Sequence, residues 1–162
     1  MRTITKGAQP QELLRWRANN AAVPQNLVYG AGAFPAEAVR PSLLAEQLHL
    51  CAYTMRRLLT AAECQAKNLD TRSSCHIEHL LPQCRQVPGE DVDYQNMVAC
   101  YPPSQSKAVC EFGAHAKADF DPSTGGFVSP LSPNAQNHFQ FDEREERRAA
   151  RMKKKGGANA EK

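Results

Sequence analysis

The sequence of 162 residues lacks any long apolar run. A helix that spans a bilayer needs about 20 consecutive apolar residues, and no segment approaches that length. The opening stretch, MRTITKGAQPQELLRW, also lacks the apolar segment that is typical of a signal peptide. The length is that of one ordinary domain. We therefore expect a cytoplasmic protein that has no membrane association.

Pairs of cysteines with the spacing Cys-x-x-Cys are also lacking. In a reducing cytosol, cysteines are expected as thiols or metal ligands rather than as a disulfide framework. The missing Cys-x-x-Cys spacing weakens the prediction of a metal centre. Buried, inert thiols are the favoured interpretation for most of the six cysteines, which are Cys51, Cys64, Cys75, Cys84, Cys100 and Cys110.

The body of the chain lacks an excess of charge of either sign. Residues 1–141 carry 12 Lys or Arg and 12 Asp or Glu, whereas residues 142–162 carry 8 basic and 5 acidic residues. The tail therefore supplies the whole net charge of +3. Because proteins bind polyanions mainly through neutralised phosphates, the body gives no sign of nucleic-acid binding. The tail cluster RRAARMKKK suits phosphate contacts; a solvated helix end is the alternative interpretation.

The first fifty residues favour two helices joined by an irregular segment. The stretch PQELLRWRANN predicts a short helix that starts after Pro10. The segment 24–41 is rich in Gly and Pro and predicts a linker or a surface loop. A second helix is predicted over residues 41–50, with Ser42 as its N-cap after Pro41.

The middle of the chain favours two strands followed by a short helix. Residues 73–81 and 94–102 alternate between apolar and polar side chains, and proline closes each run, so both predict strands. Residues 110–120 have the length and alanine content of a short helix. Beyond them, residues 125–142 suggest a hairpin-like extension, and residues 142–155 suggest a charged helix.

Glu78 and His79 are candidates for hydrolytic chemistry at the end of the first predicted strand. A carboxylate suits Mg²⁺ or Mn²⁺, and a neutral imidazole can take a proton from water. Neighbours on a strand point to opposite faces, but a bend before Pro82 would bring both into one pocket. A histidine base works best when one ring nitrogen is held. Asn96, at the second strand, is expected to brace the loop around that base. We assign no clear role to His76.

The segments CHIEHLLPQ, DYQNMVAC and CEFGAHAKADF resemble, in this order, the HNH nuclease motif. Together with CAYTMRRL and FVSPLSP they resemble the PtuB family, the HNH subunits of Septu and retron-linked antiphage systems. The resemblance covers about residues 51–133. It implies an α+β fold in which a ββα-metal (HNH) core is flanked by N-terminal and C-terminal helices.

The resemblance also implies residue roles. His79 matches the general base, Asn96 matches the central asparagine, and Glu78 stands where many HNH nucleases have a metal-binding aspartate. Aligning on the helix lysine, Lys117, places an alanine at the remaining ligand position, whereas aligning on chemistry selects His115. We expect a divalent Mg²⁺ or Mn²⁺ on Glu78 and His115, with Lys117 assisting electrostatically.

Family members with a zinc knuckle usually carry a Cys-x-x-Cys pair. Here Thr54 stands where the partner of Cys51 would be. A repaired tetrahedral zinc set would consist of Cys51, Cys75, Cys100 and Cys110. Packed thiols that hold the same elements together are the favoured alternative.

The expected organisation has three segments: residues 1–50 for partner docking, residues 51–133 as nuclease core, and residues 134–162 as an extension with a charged helix and basic tail. The resemblance implies an endonuclease subunit that hydrolyses DNA or RNA. Its implied partners are a PtuA-like ATPase and, in some systems, a retron reverse transcriptase with its RNA–DNA product. A catalytically silent module of the same fold, docked on the ATPase, is the alternative.

Overall fold

The computed structural model describes residues 1–104, 106 and 110–139. In this part of the chain, short helices surround a two-stranded antiparallel sheet. The expected α+β class is therefore confirmed. None of the helices in these residues is long and apolar enough to cross a membrane. The predicted charged helix and basic tail fall on residues 140–162 and lie outside the described residues.

Helix α1 (Gln11–Asn20) begins after Pro10, as predicted. Its buried residues, Leu13 and Trp16, are three positions apart and therefore lie on one face. The Trp16 indole donates a hydrogen bond of 2.5 Å to the Gly32 carbonyl oxygen. This bond fastens the glycine-rich segment to the first helix.

Helix α2 (Ala36–Glu46) begins earlier than the sequence predicts. The segment 24–41 was expected to be a loop, but its last third is helical, and Pro41 lies inside the helix rather than before it. Val39 and Leu43, four positions apart, are fully buried, and their burial offsets the hydrogen bond that proline cannot donate. The prediction of Ser42 as N-cap is wrong, because its hydroxyl donates to the Ala38 carbonyl within the helix.

Helix α3 (Ala61–Ala66) is an element that the sequence interpretation did not include. Thr60 and Glu63 form a capping box: the Thr60 hydroxyl accepts from Glu63 N at 3.0 Å, and the Glu63 carboxylate accepts from Thr60 N at 2.8 Å. The local signal is therefore Thr-x-x-Glu, which satisfies two backbone donors at the start of a helix.

The two predicted strands are confirmed as β1 (His76–His79) and β2 (Met97–Cys100). They pair antiparallel, with His76 opposite Cys100 and His79 opposite Met97. All four residues of β2 are buried. The free edge of β2 is covered by Gln47, whose side-chain amide exchanges hydrogen bonds of 2.7 and 2.8 Å with the backbone of Ala99. The sheet is thus central, and one short strand carries the candidate residues.

Helix α4 (Ala114–Lys117) is a single turn inside the predicted helical segment 110–120. Gly113, at the start of this helix, lies close to Thr54. A Cβ atom added to Gly113 would be only 3.0 Å from Thr54 Cγ2. The expected hairpin-like extension has no strand within residues 125–139, where turns and a 3-10 helix (Ala135–His138) are found instead.

One hydrophobic core joins the N-terminal helices to the sheet. Its members come from residues 4–58 and from residues 75–114. Tyr94 and Lys6 tighten this junction, since both bond to the Glu46 carboxylate, each at 2.8 Å. The buried members are Ile4, Leu13, Trp16, Val39, Leu43, Leu44, Cys51, Ala52, Leu58, Cys75, Ile77, Leu80, Val92, Tyr94, Met97, Val98, Ala99, Cys100 and Ala114.

Candidate active site

A cleft of about 460 Å³ lies between β1 and α4. The strand contributes three polar side chains and the helix contributes two. The structure therefore brings together most of the predicted site residues, although Glu78 and Lys117 are nearly forty positions apart in the sequence. These polar lining residues are His76, Glu78, His79, His115 and Lys117.

His79 is buried in the wall of this cleft, with 6% of its surface exposed. Its Nε2 atom lies 2.8 Å from the Asp91 carbonyl oxygen. Because a carbonyl only accepts, this hydrogen bond assigns the proton to Nε2 and leaves the lone pair on Nδ1. The ring of Tyr29 packs against the imidazole edge-on, with 4.7 Å between centroids. The neutral histidine is therefore held in one tautomer and one orientation.

Burial sets the protonation state of His79. Removal from water lowers the pKa of His79 below its usual value of 6.5. This effect outweighs the hydrogen bond that His79 donates to the Asp91 carbonyl and the nearby Glu78 charge, both of which raise the pKa. The imidazole is consequently neutral at pH 7. A neutral imidazole is the form that can accept a proton.

Glu78 is buried beside two basic side chains. Lys117 Nζ lies 3.1 Å from Oε1, and His76 Nε2 lies 3.3 Å from Oε2. The ammonium of Lys117 also donates to the His79 carbonyl oxygen at 2.9 Å. The lysine, with a side chain that is 5% exposed, thus compensates the charge of Glu78 and ties α4 to β1.

His76 enters the cleft, a placement that the sequence interpretation missed. Residues two apart on a strand share a face, so the spacing His76-x-Glu78 was itself the available signal. The same alternation would send His79 to the opposite face from Glu78. Both nevertheless line the cleft, which agrees with the predicted convergence before Pro82.

His115 is exposed at the cleft rim, and its Nδ1 accepts a hydrogen bond of 3.2 Å from the Cys110 backbone N–H. In that tautomer Nε2 carries the proton. Ligation of a metal by either nitrogen of His115 therefore requires this bond to break.

The donors in the cleft fit a hydrated divalent cation. Mg²⁺ in proteins keeps several waters and needs only one or two carboxylates in addition to phosphate oxygens. Two neighbouring ligands of an octahedral ion, each about 2.1 Å from it, lie about 3 Å apart. The spacing of 3.3 Å between Glu78 Oε2 and His76 Nε2 is close to that value. Within the described residues, no group of three or more His, Cys, Asp or Glu side chains converges.

Asn96 lies behind the cleft, where it braces a loop. Its Oδ1 accepts from Leu81 N at 2.7 Å, and its Nδ2 donates to Leu81 O at 3.1 Å and to Glu90 O at 3.0 Å. The loop that begins at Leu81 ends at Asp91, whose carbonyl holds His79. Asn96 therefore positions the acceptor of the histidine and does not line the cleft itself.

Among the described residues, the four cysteines of the possible zinc set do not gather at one point. Cys51 and Cys100 are buried and hydrogen-bonded to each other, and this bond lowers the pKa of the Cys51 thiol. Cys51 Sγ also accepts from Tyr101 N at 3.2 Å. Burial raises the pKa of Cys75 to about 11. Cys110 lines the cleft beside α4. A zinc ion on all four stays a prediction, and the packed thiol pair is what the structure contains.

No protein-family model matches the sequence, and a comparison with curated proteins finds no match. The assignment of a function therefore depends on the geometry of the cleft and on the motif resemblance.

Proposed function

We propose that this protein is a metal-dependent endonuclease of the HNH type that hydrolyses phosphodiester bonds in DNA or RNA. The observation that carries the proposal is the neutral His79, held at Nε2 by the Asp91 carbonyl and adjacent to the Glu78 carboxylate in an open cleft. The surrounding β1, β2 and α4 are compatible with a ββα-metal core. The resemblance to the PtuB family supports the same conclusion.

His79 acts in this proposal as the general base. A water molecule in the cleft gives its proton to Nδ1 while its oxygen attacks the phosphorus atom of the substrate. The P–O bond to the leaving sugar oxygen breaks, and that oxygen takes a proton from solvent. The Asp91 carbonyl stabilises the imidazolium that forms, because it accepts from Nε2. General bases of this kind contribute about 10²-fold to 10⁴-fold in rate.

Glu78 and His76 would hold the divalent cation, with His115 as the ligand expected from the motif. The cation, when bound, stabilises negative charge on the phosphate and on the leaving oxygen. Lys117 orients Glu78 through its contact with Oε1, and Oε2 lies beside His76. The preferred ions are Mg²⁺ and Mn²⁺, which suit a carboxylate ligand.

A partner that delivers the substrate is part of the proposal. The neutral charge of residues 1–141 gives little attraction for a polyanion. We propose that the partner is a PtuA-like ATPase, and in a retron-linked assembly also a reverse transcriptase with its RNA–DNA product. Segment 24–41 and the tail after residue 141 are the proposed docking regions.

The experiment is a cleavage assay on DNA and on RNA, with and without the ATPase and Mg²⁺. We expect His79→Ala to lower the rate by at least about 100-fold. His138→Ala, at an exposed histidine outside the cleft, is the matched control and should cleave at the wild-type rate. Wild-type cleavage by His79→Ala, with folding verified by circular dichroism, would refute the assignment.

The ion pair between Glu78 and Lys117 favours one second candidate, a catalytically silent module that docks on the ATPase. In that case the carboxylate already has its cation and needs no metal. This candidate predicts that no substrate is cleaved under any metal condition. It also predicts that the complex with the ATPase forms equally well with Glu78→Gln and with the wild type.

A further inference from the structure

A second cavity, of about 220 Å³, lies along α2. Its walls come from α2, from His49, from the start of α3 and from the segment before β1. Arg40 and His49 provide the nitrogen atoms in this wall, and Leu44 provides apolar surface. None of these residues lines the cleft that holds His79.

Arg40 is a buried cation with an unused donor in this cavity. Its side chain is 7% exposed, and its Nη1 donates to Glu37 Oε1 at 2.6 Å. The Nε atom is buried and has no hydrogen-bond partner among the described residues. The edge of a guanidinium that includes Nε and one terminal nitrogen is the edge that forks onto oxyanions.

His49 supplies a second buried nitrogen without a partner. Its Nδ1 atom is buried and, within the described residues, makes no hydrogen bond. Leaving a buried polar atom unsatisfied costs about 1 to 3 kcal/mol, so two such atoms on residues that line one cavity favour an occupant. The Glu37 carboxylate does not compete for this occupant, because Arg40 and the Thr71 hydroxyl already bond to its two oxygens.

We propose that this cavity binds an oxyanion, a phosphate or carboxylate group, between the guanidinium of Arg40 and the imidazole of His49. Thr71 and Ser74 line the same cavity, but their hydroxyl groups already donate to Glu37 and to Cys75 Sγ, so the donors come from Arg40 and His49. Leu44 supplies apolar surface for the rest of the ligand. The site stands independently of the proposed nuclease activity, because it shares no residue with the catalytic cleft.

The test is a nuclear magnetic resonance titration of the full chain with sodium phosphate and, separately, with sodium acetate. The ionic strength is kept constant with sodium chloride, and the concentration is raised to about 20 mM, a range that detects millimolar dissociation constants. The readout is the backbone amide signals of Leu44 and Ala45, which line the cavity and are present in every variant, together with the Nε–H signal of Arg40 wherever that arginine is retained. Saturation by acetate alone identifies a carboxylate ligand, and saturation by phosphate identifies a phosphate ligand.

Four variants locate the effect. Arg40→Gln should abolish saturation, whereas Arg57→Gln, at an exposed arginine paired with Glu63, should retain it. If Arg40→Gln does not fold, His49→Phe keeps the ring volume and should weaken binding by about fivefold or more. His79→Ala should bind as the wild type does, which separates this site from the catalytic cleft.

Two results would overturn the proposal. The first is the absence of saturation by either anion beyond the effect of chloride, which would mean that water bridges the two nitrogens. The second is unchanged affinity in Arg40→Gln, or in His49→Phe where the first variant is unfolded. Either result leaves the cleavage assay of His79→Ala unaffected.

Discussion

Replacing Asn96 by alanine tests how the fold holds the candidate base. The side chain is buried and makes three hydrogen bonds, to both backbone polar groups of Leu81 and to the Glu90 carbonyl. Each such bond contributes about 1 kcal/mol net, so Asn96→Ala should lower the free energy of unfolding by about 3 kcal/mol. For a chain of this length, that loss corresponds to a decrease in Tm of about 6 to 12 °C.

Asn96→Asp tests the oxygen and the nitrogen of the side-chain amide separately. The carboxylate keeps the acceptor for Leu81 N but replaces a donor that faces two carbonyl oxygens. Asn96→Asp should therefore be at least as destabilising as Asn96→Ala at pH 7. Burial beside carbonyls raises the pKa of the new carboxyl group, so its protonation at about pH 4 restores one donor. The difference in free energy of unfolding between Asn96→Asp and the wild type should therefore be smaller at pH 4 than at pH 7.

Urea unfolding at pH 7 and at pH 4 measures both effects. Gln95→Ala is the matched control, since Gln95 is the exposed neighbour of Asn96 and should change stability by less than about 0.5 kcal/mol. An Asn96→Ala variant as stable as Gln95→Ala would refute the bracing role. The bracing role would also be refuted if the loss of stability in Asn96→Asp were the same at both pH values.

Two further predictions concern the cleft. Because the pKa of His79 is lowered in the folded state, the unfolded state binds a proton first as the pH falls. The contribution of His79 to the free energy of unfolding is therefore complete above pH 6.5 and is lost as the pH falls below 6.5. Urea unfolding from pH 5 to 8 should show a smaller loss of stability at low pH in His79→Gln than in the wild type. Lys117→Met leaves the buried Glu78 carboxylate without its ammonium and should cost about 3 kcal/mol. Adding Glu78→Gln to Lys117→Met should recover part of that loss, and additive costs in this double-mutant cycle would contradict a coupled pair.

The strands and α1 could be predicted because their signals are local. Alternation over four to eight residues with a closing proline indicates a strand, and Pro10 followed by spaced apolar residues indicates a helix start. The same reasoning is wrong for helix α2, because a proline such as Pro41 indicates a helix boundary, whereas Pro41 lies inside the helix. Tertiary burial of Val39 and Leu43 overrides that local signal, and only the packed structure contains this information.

The sequence predicts which residues form the candidate site, but it does not predict the contacts that those residues make. The motif resemblance selected Glu78, His79 and Lys117, which line one cleft. It could not select the carbonyl that holds His79, because a backbone acceptor has no residue signature. His76 was recoverable from the period of two along a strand, whereas the tautomer of His115 depends on a loop conformation.

The kind of acceptor that holds His79 has a consequence for its chemistry. A carboxylate partner would add a full negative charge and raise the pKa of the imidazole, whereas the Asp91 carbonyl adds only a dipole. Desolvation then dominates, and the pKa falls. The fold therefore orients the ring through this hydrogen bond and still keeps Nδ1 unprotonated at pH 7. Because Asn96 fixes the loop that presents this carbonyl, the bonds that stabilise the loop are also the bonds that keep the base available.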